Sequence, residues 1–247
     1  MKSIVIMQVS GGSGASTLAM NLVHASVWPK AKRVLLSLNP ADSGDIFFQF
    51  GFPDQNSIYL DPVELYSETS IVSLGYDVGL PDRRMPSKLA LADPENWVLP
   101  IVPQPTFTSP LDPRQSPWWD ILLSKSVDAD VDTVIDAGRI LPDYYGIHRR
   151  LFEFADDVYL LISSEWELEK AKAVASRYSA KTTLVLVGDA VNLEEKTDPF
   201  GFTKTLLMPK NDKMASEFAR ATVATSAKPR LMRGYLQLLA EITEIEE

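Results

Sequence analysis

The chain of 247 residues contains no cysteine. That excludes disulfides, thiolate metal sites and cysteine nucleophiles, and it suits a reducing compartment. Histidine is scarce: only His24 and His148 occur, and neither has a partner at metal-ligand spacing. Both are read as packing residues. The opening segment MKSIVIMQVSGGSG holds an apolar run too short for a membrane span and has no cleavage pattern. A buried first strand accounts for it, and the protein is expected to be cytoplasmic. Positive charge is in deficit, with a net charge of −9 and no dense basic cluster. Nucleic-acid binding needs lysine and arginine to replace phosphate counterions, so no nucleic-acid partner is expected. Arg149-Arg150 and the Lys170, Lys172, Arg177 and Lys181 stretch are the richest basic segments, and both are read as solvated helix faces. Internal repeats and low-complexity linkers are missing as well.

What remains is an ordinary globular composition, 45% hydrophobic and 23% charged. One domain over residues 1–247 is expected. Apolar runs of strand length alternate with helical patterns, which predicts an α/β fold, doubly wound, with a mainly parallel sheet and helices on both faces. Strands are predicted at 3–9, 33–38, 96–102, 132–137, 157–163, 182–187 and 204–208. Helices are predicted near 16–27, 118–125, 146–154, 165–178, 212–219 and 229–245. Residues 41–95 show no clear pattern beyond single helical turns near 45–50 and 62–67. Six prolines fall from Pro100 to Pro117. A sheet interior tolerates proline poorly, so this stretch is placed in a surface loop at a sheet edge.

The segment carrying the chemistry is Ser10-Gly11-Gly12-Ser13-Gly14-Ala15-Ser16-Thr17. It runs directly from the first predicted strand into the first predicted helix. Backbone amides in such a turn point at an anion, the helix dipole adds partial positive charge, and glycine permits close approach. Ser16 stands where a hydroxyl can ligand Mg²⁺. A dinucleotide site of the oxidoreductase type is the alternative use of a glycine loop. No G-x-G-x-x-G run occurs, and residues 37 and 39 offer no acid for a ribose. Tyr178 and Lys181 are three apart, which is not the spacing of the short-chain dehydrogenase pair.

The loop resembles that of ParA/MinD-type P-loop ATPases, K-G-G-x-G-K-[S/T]. Gly11, Gly12, Gly14, Ser16 and Thr17 match it. Ser10 replaces the signature lysine that reaches a dimer partner's nucleotide. Ala15 replaces the lysine that holds the β- and γ-phosphates. Strict Walker spacing would also want glycine at Val9. RVLLSLNPADSGD resembles the family's second strand and switch, with Pro40 and Gly44 kept and the aspartates replaced by Ser37 and Asn39. VDTVIDAGR resembles the Walker B-like strand and second switch and keeps Asp136. MPKND, with Pro209, resembles the late segment near the base pocket. The purine-reading asparagine is replaced at Gly188 or Asp189, with Asn192 as the other candidate.

The resemblance implies a site for ATP and Mg²⁺ built from residues 10–17, Asn39, Asp136, Arg139 and Pro209, with Ser16 and Asp136 toward the metal. It also implies protein partners and a homodimer. Phosphoryl transfer depends on charge neutralisation and a held water. One charge-assisted hydrogen bond contributes about 1.5–3 kcal/mol, so two lost lysines remove roughly 3–6 kcal/mol. Asn39 is also a poor replacement for the acid that positions water. Weak or absent ATP binding and no meaningful hydrolysis are expected, with no catalytic residues. Arg139 has two open readings: a substitute cation, or a surface salt bridge to Asp42 or Asp45.

The Gly14-Ala15-Ser16-Thr17 loop is similar to the TadZ/CpaE branch, which localises pilus or secretion systems. The Asp136-Ala137-Gly138-Arg139 switch resembles actinobacterial MinD-like proteins. A non-hydrolysing scaffold is expected, with an unusual ATP-dependent dimerisation switch as the alternative. The last helix carries an apolar stripe, Leu231, Tyr235, Leu238, Leu239, Ile242 and Ile245. It ends in glutamates that anionic lipid would repel, so it is expected to pack on the domain and not insert in a membrane. Of Trp118 and Trp119, one is expected buried and one half-exposed.

Overall fold

The computed structural model describes residues 2–24, 33–37, 59–60, 100–103, 123–125, 132–140, 145–176, 178–193, 202–210, 213 and 229–243. Its strands are β1 (Ser3–Gln8), β2 (Arg33–Ser37), β3 (Tyr59–Leu60), β4 (Pro100–Pro103), β5 (Asp132–Arg139), β6 (Asp157–Ile162), β7 (Thr182–Val187) and β8 (Lys204–Met208). Its longer helices are α1 (Ala15–His24), α2 (Tyr145–Phe154), α3 (Glu165–Ala175) and α4 (Pro229–Thr243). The strands form one sheet in the order β3-β4-β2-β5-β1-β6-β7-β8. Every pairing among them is parallel.

Parallel strands covered on both faces need apolar side chains on both. Ile4, Ile6, Val134, Tyr159, Leu161, Val185 and Val187 face the layer made by α1 and α4. Val5, Met7, Ile135, Leu160, Ile162, Leu184 and Leu186 face the layer of α2 and α3. The alternation follows from the two-residue period of a strand. The doubly wound α/β architecture expected from the sequence is therefore observed. Leu18 and Leu22 of α1 are fully buried, each contributing roughly 1.5–3 kcal/mol of transfer free energy. Met232, Tyr235, Leu238, Leu239 and Ile242 of α4 are buried in the same layer, so the last helix does pack on the sheet. No helix among the described residues is long and apolar enough to cross a membrane.

One expectation is corrected. The strand expected at 96–102 is present as β4 (Pro100–Pro103), but the proline-rich stretch begins inside the sheet and not at its edge, because β4 lies between β2 and β3. Pro100 and Pro103 are the first and last residues of this four-residue strand, the positions where a missing amide costs the ladder least. The two-residue strand β3 was not anticipated. The remainder of the loop, Trp118 and Trp119, and the turns expected near 45–50 and 62–67 lie outside the described residues. The basic residues of α2 and α3 are engaged locally. Arg149 bonds Glu153 at 2.8 Å, Lys172 pairs with Glu169, and Lys170 lies over the Trp166 ring at 4.8 Å.

Candidate functional site

In a doubly wound sheet, ligands bind beyond the carboxyl ends of the strands, where the strand order reverses. Here that point is β1, flanked by β5 and β6. The turn leaving β1 is residues 9–14. Val9 N–H donates to the Leu161 carbonyl at 3.1 Å, which anchors the start of the turn to β6. Gly12 and Gly14 then take φ of +82° and +92°, a region costly for any residue with a Cβ. Leu18 N–H donates to Gly14 O at 2.9 Å, and α1 is under way.

The side chains of this turn are held by the protein itself. Ser13 is fully buried, and its hydroxyl donates to Ser10 O at 3.2 Å. Ser10 Oγ donates to the Glu167 carboxylate. Glu167, on the first turn of α3, is 1% exposed. Its other oxygen accepts from the amides of Ser163 and Ser164 and lies 3.3 Å from Ser163 Oγ. Ala15 is buried in the α1-side core. Thr17 O accepts from Asn21 Nδ2 at 2.8 Å, and Ser16 is half-buried at the start of α1. Gly11 and Gly12 are exposed, with no heavy atom of the described residues near where a Cβ would stand.

Asp136 is fully buried near the end of β5, in register with Ile6 of β1 and Ser37 of β2. Strand alternation places it on the face that α1 covers, as it does Gln8 of β1. Asp136 Oδ1 accepts from Gly138 N–H at 3.1 Å. Gln8 is 5% exposed, and its Oε1 has no hydrogen-bond partner among the described residues. Gly138 has φ of +63°, and the β1–β5 register shifts there. This irregularity turns the strand end outward, so Arg139 is exposed. Arg139 has no ion pair among the described residues, and Asp42, Asp45 and Asn39 lie outside them.

The carboxyl ends of β7 and β8 complete the edge. Met208 Cε is 3.0 Å from the place a Cβ on Gly14 would occupy. Pro209 packs on Gly234 of α4, with 3.2 Å to the equivalent position there. Lys210 Nζ donates to Gly12 O. Gly188 has φ of +62° and lies beside Lys210. The structure thus gathers residues 10–17, Gly188, Pro209 and Lys210 along one edge, with Asp136 beneath the α1 layer. Glu167 and Lys210 were not singled out from the sequence. The Ser164-x-x-Glu167 capping spacing was readable, but its link to Ser10 was not. Lys210 stood inside the segment already compared with the family. Tyr178 and Lys181 have structural partners: Tyr178 stacks on Phe152 at 4.6 Å, and Lys181 Nζ donates to Ala155 O at 2.7 Å. Among the described residues no group of three histidine, aspartate or glutamate side chains is placed to hold a metal ion.

No family model matches the chain, and no curated protein matches it. Solved structures do. A MinC–MinD cell division complex from Aquifex aeolicus matches at 13% identity with a TM-score of 0.64, covering 100% of this chain and 98% of the other. A McdA–ATP complex from Cyanothece matches at 14% identity and a TM-score of 0.62, covering 100% and 98%. The septum site-determining protein MinD with Mg-ADP from Pyrococcus horikoshii matches at 14% and 0.62, covering 98% and 95%. Likeness at such low identity establishes the fold, which is the α/β P-loop fold of the ParA/MinD type.

Proposed function

We propose that this chain, built on the ParA/MinD-like fold, is a non-hydrolysing scaffold or localisation factor. It would dock protein partners of a pilus, secretion or other positioned assembly, and residues 1–247 would act as one domain. One observation carries the proposal. The turn after β1 keeps a backbone suited to an anion, with left-handed Gly12 and Gly14, while both lysine positions have gone to other work. Ser10 is tied to the buried Glu167, and Ala15 is packed in the core.

The residues present fit phosphate groups better than phosphoryl transfer. Amides at a helix N-terminus bind an anion without side-chain charge. Among the described residues nothing crowds Gly11 or Gly12, which leaves room for one. Ser16, Asp136 and the orphaned Gln8 Oε1 are oxygens of the hard-ligand type that suits Mg²⁺. Mg²⁺, when bound, supplies charge neutralisation on phosphate oxygens. Transfer needs more positive charge than residues 10–17 hold. Weak binding of ATP without turnover follows. Partner docking draws support from the MinD neighbour, which was solved in complex with MinC. A homodimer belongs to the same proposal.

The second reading is an ATP-dependent dimerisation switch with weak turnover, favoured by the oxygen set around Asp136. Light scattering separates the two. A scaffold keeps one mass in ATP, in ADP and without nucleotide. A mass that doubles only in ATP would overturn the scaffold and support the switch.

A further inference from the structure

We infer that Lys210 is the cation of the phosphate loop. Its ammonium, carried from beyond the end of β8, adds one positive charge that binds the phosphate groups of a nucleoside di- or triphosphate, and one charge does not make up the two lysines whose absence argues against transfer. This rests on the phosphate-loop reading above and adds a residue to it.

The segment Ser10–Thr17 contains no lysine or arginine. Lys210 lies almost two hundred residues later in the chain, just past the end of β8, which is separated from β1 by β6 and β7. It nevertheless reaches the loop, because its Nζ donates to Gly12 O. The route runs beside Gly188. A Cβ there would stand in ordinary contact with Lys210 Cβ, at 3.5 Å, so the lysine stem passes over the end of β7. Gly12 in turn is exposed.

The charge is on the wrong end of a helix for a purely structural role. Cations stabilise helix C-termini, and the N-terminus carries partial positive charge. α1 has no acidic residue in its first turn to offset that charge. Three other lysines of the described strands and helices face acids. Lys2 pairs with Asp157 at 3.1 Å, Lys172 with Glu169, and Lys204 with Glu241 at 3.7 Å. Lys210 has no such acid among the described residues. An ammonium has three donors, and the bond to Gly12 uses one. A lysine placed beside a positive helix end, with donors to spare, is stabilised when an anion joins it.

Calorimetry on the full chain with Mg-ATP, ADP and pyrophosphate tests the assignment. Lys210 is exposed, so Lys210→Met and Lys210→Gln should melt with the wild type. A charge-assisted bond of ordinary strength predicts about tenfold weaker binding of all three ligands in either variant. Lys210→Arg should retain affinity within about threefold, because it keeps the charge. Lys204→Met, a charge control at the other end of β8, should bind as the wild type does. Affinity should also fall less with added salt once Lys210 is gone. Unchanged binding in Lys210→Met and Lys210→Gln would overturn the assignment and leave the phosphate loop standing. Equal losses in Lys204→Met and Lys210→Met would overturn it as a mere net-charge effect. A wild-type protein that binds none of the three ligands would remove the phosphate loop itself, and the assignment with it.

Discussion

Two strand-to-helix turns lie side by side at the carboxyl edge of the sheet, one after β1 and one after β6. In the second, α3 is closed by its own sequence. Glu167 folds back on the amides of Ser163 and Ser164, so the carboxylate meets both the orphan donors and the dipole of its helix. In the first, α1 has no acid in its opening turn, and glycines with positive φ shape the approach. A helix that carries its own anion is finished when it folds. A helix without one offers its amides to something outside. The bond from Ser10 to Glu167 joins the two turns, so the self-capped helix braces the open one.

The sharpest way to break this contrast is to remove the acid. Glu167→Ala leaves buried amides and the Ser10 hydroxyl without an acceptor, and should cost about 3 kcal/mol in urea unfolding at one to three per orphaned group. Glu167→Gln keeps an acceptor and should lose less. A loss below that of an ordinary surface substitution would mean that the two turns are not braced.

Acid should weaken the α2–α3 face by a similar amount. Burial lowers His148 of α2 from 6.5 to about 4. The folded state therefore resists the protonation that the unfolded chain accepts. His148 contributes its full stability above pH 6.5, and loses it as pH falls toward 4. The total comes to about 3 kcal/mol. Unfolding midpoints at a series of pH values, compared with those of His148→Phe, would show that slope. A slope shared fully by the variant would assign it to other groups.

Smaller effects separate the glycines of the open turn. Gly14→Ala combines a φ of +92° with a 3.0 Å approach to Met208, and should cost about 2 kcal/mol. Gly11→Ala meets nothing and should stay within about 0.5 kcal/mol. Equal melting temperatures for the two variants would contradict the loop geometry. Smallest of all, Arg139→Ala should leave stability within about 0.5 kcal/mol, because the exposed guanidinium has no ion pair among the described residues.

How far the sequence foretold this depends on the range of the interaction. β7 and β8 came out at the expected residues because short apolar runs bounded by polar ones admit few alternatives. The loop was legible because glycines between a strand and a helix have few other uses. β4 overlaps the strand expected at 96–102, but proline argued for a sheet edge, and the sequence does not show that a strand of four residues can put its prolines at both ends and pair on both sides. β3 is too short to have a period. Glu167 and Lys210 were missed for a different reason. Each meets the loop across more than 150 residues of chain, and nothing in a local pattern names a partner at that distance. The sequence therefore showed a glycine loop without lysine, and the fold shows which distant side chains reach that loop.

The central claim is that the open turn holds phosphate without transferring it. Steady-state release of phosphate from Mg-ATP by the full chain, with and without a lipid or protein additive, tests it most directly. The account predicts no release above a heat-inactivated sample. Sustained release by the wild type that disappears in Gly14→Ala would contradict it.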